Sequence, residues 1–581
     1  MVKKLLNVCK RAIKKLKPRK RDQEIAQERK ASRPLWKKIL PRRRRRKQNE
    51  KAGTDNTIIQ NNDDIEGDRI QNKIKNPVSP PSLPTECLIE VFTYVQGDLR
   101  TLNACLLVCK EWCNIVVPLY WSRPFHHKVS ADVVNTYLQC LSKHEQQNIK
   151  ACGIKLKQNK TPPTFRYADL LRELSMSKLY LSVNGWLYIF QKPTLNIANQ
   201  RNIICRALCR LFVNRSQGLL SLSLDWSHTG KWRNYPMFTY RYHTKNSSIL
   251  LDLQYLSIHH VDKRDIFTEL SWYCKNLKTL ELIDYTFLGL SETRHQSIYT
   301  LISSQTNLQR CKFFGYGSSP IRPMNALMTQ SKTLTHFELV YAKFYTNNLH
   351  DTENSDAKNS INAFQSLSNC TNLESLVINS CLFSSDIILR PLTTVKFPKL
   401  KRLHFKSLLC NVSTSFIAMI KANSTSLQDL WYSDKVARNL TLPILDAVVN
   451  HLKSITILKR LIIPFKSEQT PQLALFLSEC KNLTTLKLIG PYGQEREFKE
   501  YLPELAEGLP LSMKHLSIDL NWVVLTTLEE FFENFKADLD TFYIGGWKRQ
   551  IPDVHIKLIE QYLKKKKKGI DIFKFLRDVH G

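Results

Sequence analysis

From about residue 200 onward, apolar side chains return in one spacing: an apolar residue, two others, an apolar, one other, an apolar. It reads LLSLSL at 219–224, LQYLSI at 253–258, LKTLEL at 277–282, LQRCKF at 308–313, LTHFEL at 334–339 and LESLVI at 373–378. It continues as LKRLHF at 400–405, LQDLWY at 427–432, LKRLII at 458–463, LTTLKL at 483–488, MKHLSI at 513–518 and LDTFYI at 539–544. Alternation over the last three positions predicts a short strand whose alternate side chains turn inward. The intervening residues are expected to return along the outer face, commonly as helices closing on CKNL (274–277), QTNL (305–308), CTNL (370–373) or CKNL (480–483). One such unit cannot cover its own apolar face, whereas a stack of neighbours can.

The spacing resembles that of leucine-rich repeats, whose period is roughly 20–29 residues before insertions. The resemblance implies an α/β fold, a curved solenoid of about twelve irregular repeats over residues 216–547. Many such repeats place Asn or Cys three residues after the last apolar position. This chain has Tyr285, Tyr316, Ala342, Cys381 and Leu408 there, and only Cys381 fits. The hydrogen bonding of an asparagine ladder is therefore expected to be missing. Residues 548–581 are expected to form a helical cap with KKKKK (564–568) on its outer face.

Upstream the period changes. In SLPTECLIEVFTYV, from Ser82, Leu88, Val91, Phe92 and Val95 fall on one face of a helix opened by Pro84. GDL (97–99) interrupts it. Asp98 is placed to cap a second helix, with Leu102, Cys105, Leu106, Val108 and Cys109 on its apolar side. A third helical stretch runs from Trp112 through IVV to Pro118. A piece this short sits at the lower limit of independent stability. Its apolar positions occupy more than one face of each helix, so some of that surface must meet something outside the module. Residues 126–215 read as a helical connector and cap for the first repeat.

The words LP-x-E-x-L-x-x-VF-x-YV, DL-x-x-L, CLLVCKEWC and LYW resemble an F-box over residues 81–125. An F-box followed by leucine-rich repeats is similar to the fungal-type F-box/leucine-rich-repeat proteins. The resemblance implies docking on the Skp-family adaptor of an SCF-type cullin–RING ubiquitin ligase. Leu83, Pro84, Leu88, Phe92, Val108 and Trp112 would meet that adaptor, and the repeats would hold a protein substrate. Other readings stay open: an interaction scaffold outside ubiquitination, a nucleic-acid-associated protein acting through the basic arm, or a module that merely caps the solenoid.

Charge adds an asymmetry. The formal net charge is +35, yet residues 1–51 alone hold 22 Lys/Arg against 4 Asp/Glu. Residues 1–80 read as a disordered basic arm and linker, with GTDNTIIQNNDDIEGD and NPVSPPS as its polar and Pro-rich stretches. An acidic partner is implied: an import receptor, nucleic acid or an anionic membrane. Arg42, Arg43, Arg44, Arg45, Arg46 and Lys47 resemble a nuclear import signal. Val2, Leu5, Leu6, Cys9, Ile13 and Leu16 would share one face of a membrane-surface helix. The fifteen cysteines are scattered, no secretory leader opens the chain and no long apolar run could span a bilayer. Reduced thiols and a place in the nucleus and/or cytoplasm are expected.

Catalytic chemistry is not apparent. Cys105, Cys109 and Cys113 recur at every fourth position, but a zinc site needs about four converging ligands, and core packing is the better reading. Cys205 and Cys209 read the same way, and the pairs His126–His127 and His259–His260 lack partners at ligand spacing. With no P-loop or dinucleotide fingerprint, no enzyme activity, metal or cofactor is expected. The candidate substrate surface is the outward strand row. Arg402, His404, Lys406, Trp431, Arg460 and Lys487 form its centre, with Arg310, Lys312, His336, Glu338, Asp429, His515 and Tyr543 around them. Its basic tilt and large aromatic suit an acidic or phosphorylated segment.

Overall fold

The repeating apolar triplets become strands that lie side by side. A computed structural model describes residues 83–125, 131–156, 163–191, 196–225, 247–259, 266–284, 292–315, 320–344, 355–434, 442–490, 502–519, 525–544, 553–566 and 576. The arm, with its import-like signal and apolar face, therefore lies outside the described residues, as do His126, His127 and His260.

The strands are β1 (Glu173–Ser175), β2 (Ser221–Leu224), β3 (Tyr255–His259), β4 (Thr279–Asp284), β5 (Arg310–Gly315), β6 (His336–Val340), β7 (Lys343–Phe344) and β8 (Ser375–Asn379). They continue as β9 (Leu382–Phe383), β10 (Arg402–Leu408), β11 (Asp429–Asp434), β12 (Arg460–Pro464), β13 (Thr485–Ile489), β14 (His515–Asp519) and β15 (Thr541–Ile544). All but β7 and β9 join one 13-stranded sheet in sequence order, and β7 pairs with β9. Every pairing is parallel, as a stack of strand-and-return units requires. Leu222, Leu256 and Leu280 stand in register, as do Leu376, Leu403 and Leu430, and all are fully buried. One apolar core runs from Phe125 to Leu576.

The sheet starts earlier than the repeats read from about residue 200 onward. β1 lies within the span read as connector, where Leu171 and Leu174 are buried and Met176 already opens a helix. At the other end lies the helix Asp553–Lys565, whose Tyr562 hydroxyl donates to the Ala537 carbonyl at 3.2 Å.

The asparagine ladder is replaced rather than absent. Cys381, the one residue that fitted the usual position, reaches the Leu339 carbonyl at 3.6 Å. Amides at the opposite end of the strands do the rest. Asn276, Asn372 and Asn482 donate to the carbonyls of Leu251 (3.1 Å), Lys332 (2.9 Å) and Thr456 (2.6 Å) in the preceding repeats. Behind them, buried Gln305 and Gln330 bridge Cys274 to Leu277 and Ile302 to Leu308. All but Gln330 belong to the C/Q-x-N-L words seen in the sequence, and these polar side chains satisfy backbone groups that a buried turn would otherwise leave unpaired.

Three helices precede the connector: α1 (Thr85–Tyr94), α2 (Leu99–Cys105) and α3 (Lys110–Trp121). Asp98 caps α2, accepting from the Arg100 and Thr101 amides. The α2 helix ends sooner than its apolar spacing suggested. Leu106 is half-buried, Val108 is exposed, and Cys109 instead caps α3, its Sγ accepting from the Trp112 amide at 3.5 Å. The small core is Leu88, Phe92, Leu102, Cys105 and Val116, separate from the large one.

A joint ties module to array. In the sheet, the carbonyl just before each strand accepts two amides from the next repeat. Arg172 O accepts Leu220 and Ser221, Leu220 O accepts Gln254 and Tyr255, and the column continues to Lys514 O. Ser122, directly after α3, extends that column backward: its carbonyl accepts the Arg172 and Glu173 amides, each at 2.8 Å. Trp121 packs on Tyr137 and Tyr167, with ring centroids 5.4 and 4.2 Å away. The end of α3 thus stands where a preceding repeat would.

Candidate interaction surfaces

The residues expected to meet an adaptor divide by burial. Leu88 and Phe92 face inward at 5% and 1% exposure, and Phe92 meets Trp112 edge-on at 4.9 Å. Leu83 and Trp112 are half-buried, whereas Pro84 and Val108 face solvent. Sequence reasoning missed three other exposed apolar side chains, Ile89, Tyr94 and Leu107. The signal for Ile89 was the run CLIEVF, which is apolar on two faces of α1. A module with so small a core leaves these groups in water, an arrangement that favours a partner surface over them.

The strand register defines the second surface. One outward column passes through Arg310, His336, Ser375, Arg402, Asp429 and Arg460. The next passes through Lys312, Glu338, Val377, His404, Trp431 and Ile462. The predicted centre is therefore brought together, but its charges are already engaged. Asp429 Oδ2 is 3.2 Å from Arg402 Nε and 3.5 Å from Arg460 Nη1, and Oδ1 is 2.7 Å from His404 Nε2. Lys312 pairs with Glu338 at 3.0 Å.

Burial sets the protonation states. The His404 ring is 2% exposed, and burial lowers its pKa despite the pull of Asp429. A carboxylate can only accept, so the neutral ring carries its proton on Nε2 and donates it to Asp429. Burial pushes the Asp429 carboxyl up, but the His404 hydrogen bond and the charges around it, Arg460 and Arg402 included, hold it below the ordinary value. Asp429 is thus an ionised hub holding two guanidiniums whose remaining N–H groups stay half-exposed.

Lys406 rests on Trp431, its Nζ 3.9 Å from a ring centroid, and burial lowers its pKa. Trp431 Nε1 donates to Ser433 Oγ at 3.3 Å. The expected aromatic anchor therefore presents a face already covered by a cation. His404 and Lys487 are buried and present little surface to a partner. His515 turns to Thr541 Oγ1 at 3.0 Å, and Tyr543 continues the second column on β15.

Over β1–β4 the same columns differ. They hold Glu173, Glu281 and hydroxyl side chains, and Tyr255 donates to Glu281 Oε2 at 2.7 Å. Among the described residues no Lys or Arg stands in either column there.

Buried thiols complete the inventory. Burial pushes Cys209, Cys274, Cys370 and Cys480 up to about 12, so they pack as small apolar groups. Among the described residues no group of three or more His, Cys, Asp or Glu is placed to hold a metal, and no helix is long and apolar enough to cross a membrane.

Comparison with known proteins adds one domain-level match. The F-box-like family model matches residues 81–127. A solved leucine-rich-repeat protein of Leptospira interrogans shares 13% identity, covering 65% of this chain and 92% of its own, with a TM-score of 0.28. That superposition is too distant to bear on the repeat architecture, which stands on strand register. No curated protein matches the chain. The molecule thus joins an F-box-like domain to a leucine-rich-repeat array, an arrangement for protein interaction.

Proposed function

We propose that this chain is the substrate receptor of an SCF-type cullin–RING ubiquitin ligase. Its F-box-like domain docks on a Skp-family adaptor, and its concave sheet holds the protein to be modified. The observation that carries the reading is a family-matched module whose own core is five residues, while Ile89, Leu107 and Val108 remain in water. Burying such side chains on a partner is favourable by ~25 cal/mol per Å² before association costs. No residue of this chain performs chemistry in the scheme. The receptor raises the effective concentration of target beside a ubiquitin-charged enzyme. The half-exposed guanidiniums held by Asp429 favour an acidic or phosphorylated segment as cargo. The run Arg42–Lys47 would serve nuclear import, giving a nuclear and/or cytoplasmic receptor.

The test is retention of a purified Skp-family adaptor by the full chain. Leu107→Asp/Val108→Asp alters exposed positions, so the thermal melt should hold while affinity falls at least about tenfold, ~1.4 kcal/mol. Undiminished retention by that variant would sink the adaptor face. Leu88→Ala is a poor probe, because Leu88 is core. Adaptor capture that never recruits a cullin would leave an interaction scaffold in place of a ligase subunit.

A further inference from the structure

The register divides the outward face of the sheet into two zones along its length, the face taken above as the concave one. Over β1–β4 it presents Glu173 and Glu281, and Asp225 follows β2 beside His259, 3.8 Å away. From β5 to β12 the cations Arg310, Lys312, Arg402, Lys406 and Arg460 outnumber Glu338 and Asp429. Ser122 fixes the F-box-like domain at the β1 end. Moving away from that domain, the face therefore presents acid first and base second.

The sequence leading into the domain carries the opposite order. Going back from Leu83 come Lys75, Lys73 and Arg69, then Asp68, Glu66, Asp64 and Asp63. We propose that residues 63–75 dock in cis along the concave face and compete there with the target. Lys73 and Lys75 meet the Glu173–Glu281 zone, and the four acids meet the zone of Arg310, Arg402 and Lys406. The inference rests on the concave face being the target surface and is independent of the adaptor assignment.

Length and order both permit it. Fully extended, the chain from Lys75 to Leu83 reaches ~27 Å, and from Asp64 to Leu83 ~65 Å. At ~4.8 Å per strand, β10 lies ~34 Å along the sheet from β1. The tether starts at Leu83, one ten-residue helix (~15 Å) beyond the Gln96–Ser122 contact at the β1 end, so the basic block still meets the near zone and the acidic block, with its ~65 Å reach, the far one without crossing. A linker of this kind supplies an effective concentration on the order of millimolar, enough for weak, screened ion pairs to fill the face. A target then gains access by outcompeting the segment. Phosphorylation plays no necessary part, because the segment's own carboxylates supply the charge.

Zero-length carbodiimide cross-linking of the full chain, read by mass spectrometry, tests the contact. The expected links join the carboxylates of residues 63–68 to Lys312 or Lys406, and Lys73 or Lys75 to Glu173 or Glu281. Their yield should not change on dilution and should collapse at high salt. The variant Asp63→Asn/Asp64→Asn/Glu66→Gln/Asp68→Asn should lose the acid-side links. It should also bind a fluorescein-labelled peptide of residues 60–78, added in trans, about tenfold tighter than the parent chain.

A second variant exchanges the order by Asp63→Lys/Asp64→Lys/Glu66→Lys/Asp68→Lys with Arg69→Glu/Lys73→Glu/Lys75→Glu. In it the matching alignment would need the tether to double back, so it should take up peptide more tightly than the parent chain. Equal peptide affinity in all three chains overturns the proposal. So do links whose yield falls on dilution, which would assign the contact to a second copy. Adaptor retention, measured on the same preparations, should be equal throughout. Its absence would defeat the ligase reading without touching this one.

Discussion

At the residue scale, Asp429 governs the centre of the concave face. It keeps Arg402 and Arg460 in place and takes the proton-bearing nitrogen of His404, so an incoming anion meets donors that are already ordered. The same burial makes the site sensitive to acid. His404, His336, His515 and His555 all lie below the ordinary histidine value of 6.5, burial being the first cause in each. A depressed value means that the unfolded chain takes up the proton first. The stabilisation is complete above pH 6.5 and is lost as pH falls from there through the folded-state values. Chemical denaturation should therefore show a midpoint that drops between pH 7.5 and 5.5, against expectation if it stays flat. His404→Gln keeps a donor for Asp429 but cannot titrate, and should shrink that drop. The outward row that contains these residues was readable from period-two alternation. Their pairings were not, because Asp429 meets His404 and Arg460 only through the register of separate repeats.

Elements in this molecule are held by close approach as much as by apolar area. Gly508 ends the helix Leu502–Gly508, and a Cβ there would lie 2.5 Å from the Ala474 carbonyl oxygen in Thr470–Glu479. Backbone cannot swing aside as a side chain can. Gly508→Ala should cost about 1–3 kcal/mol in urea unfolding, and trimming Ala474 to glycine should not restore it, since the obstacle is main chain. A neutral Gly508→Ala would mean that the two helices separate freely. Such contacts leave no trace in apolar spacing, which is why the repeats were legible and their spacing from one another was not. β1 escaped notice although LRELSM (171–176) carries the full spacing; its third apolar position, Met176, belongs to a helix, so the strand is only three residues long. Val108 was misread in the opposite sense: the four-residue spacing of Cys105 and Cys109 continues past the point where the backbone leaves the helix.

On the scale of the whole molecule, the joint at Trp121 and Ser122 decides how the F-box-like domain is carried. Two main-chain hydrogen bonds and the rings of Tyr137 and Tyr167 make it part of the stack. Trp121→Ala removes about 0.5–1.5 kcal/mol of ring attraction per pair beyond the buried area. Distances between spin labels on domain and array should broaden, while adaptor retention holds. An unchanged distribution would show that the hydrogen bonds alone fix the orientation.

Stacked repeats lean on their neighbours and nothing else, so such molecules fray from their ends. Here one end is welded through Ser122 by main-chain hydrogen bonds, while β15 pairs with β14 alone among the described residues and its end is covered through side chains of Asp553–Lys565, Tyr562 among them. Damage should therefore peel the far repeats first and spare the domain that docks. In the proposed complex the remnant would be a decoy, seated on the machinery with empty hands, and a truncated copy would poison the assembly rather than simply be missing from it.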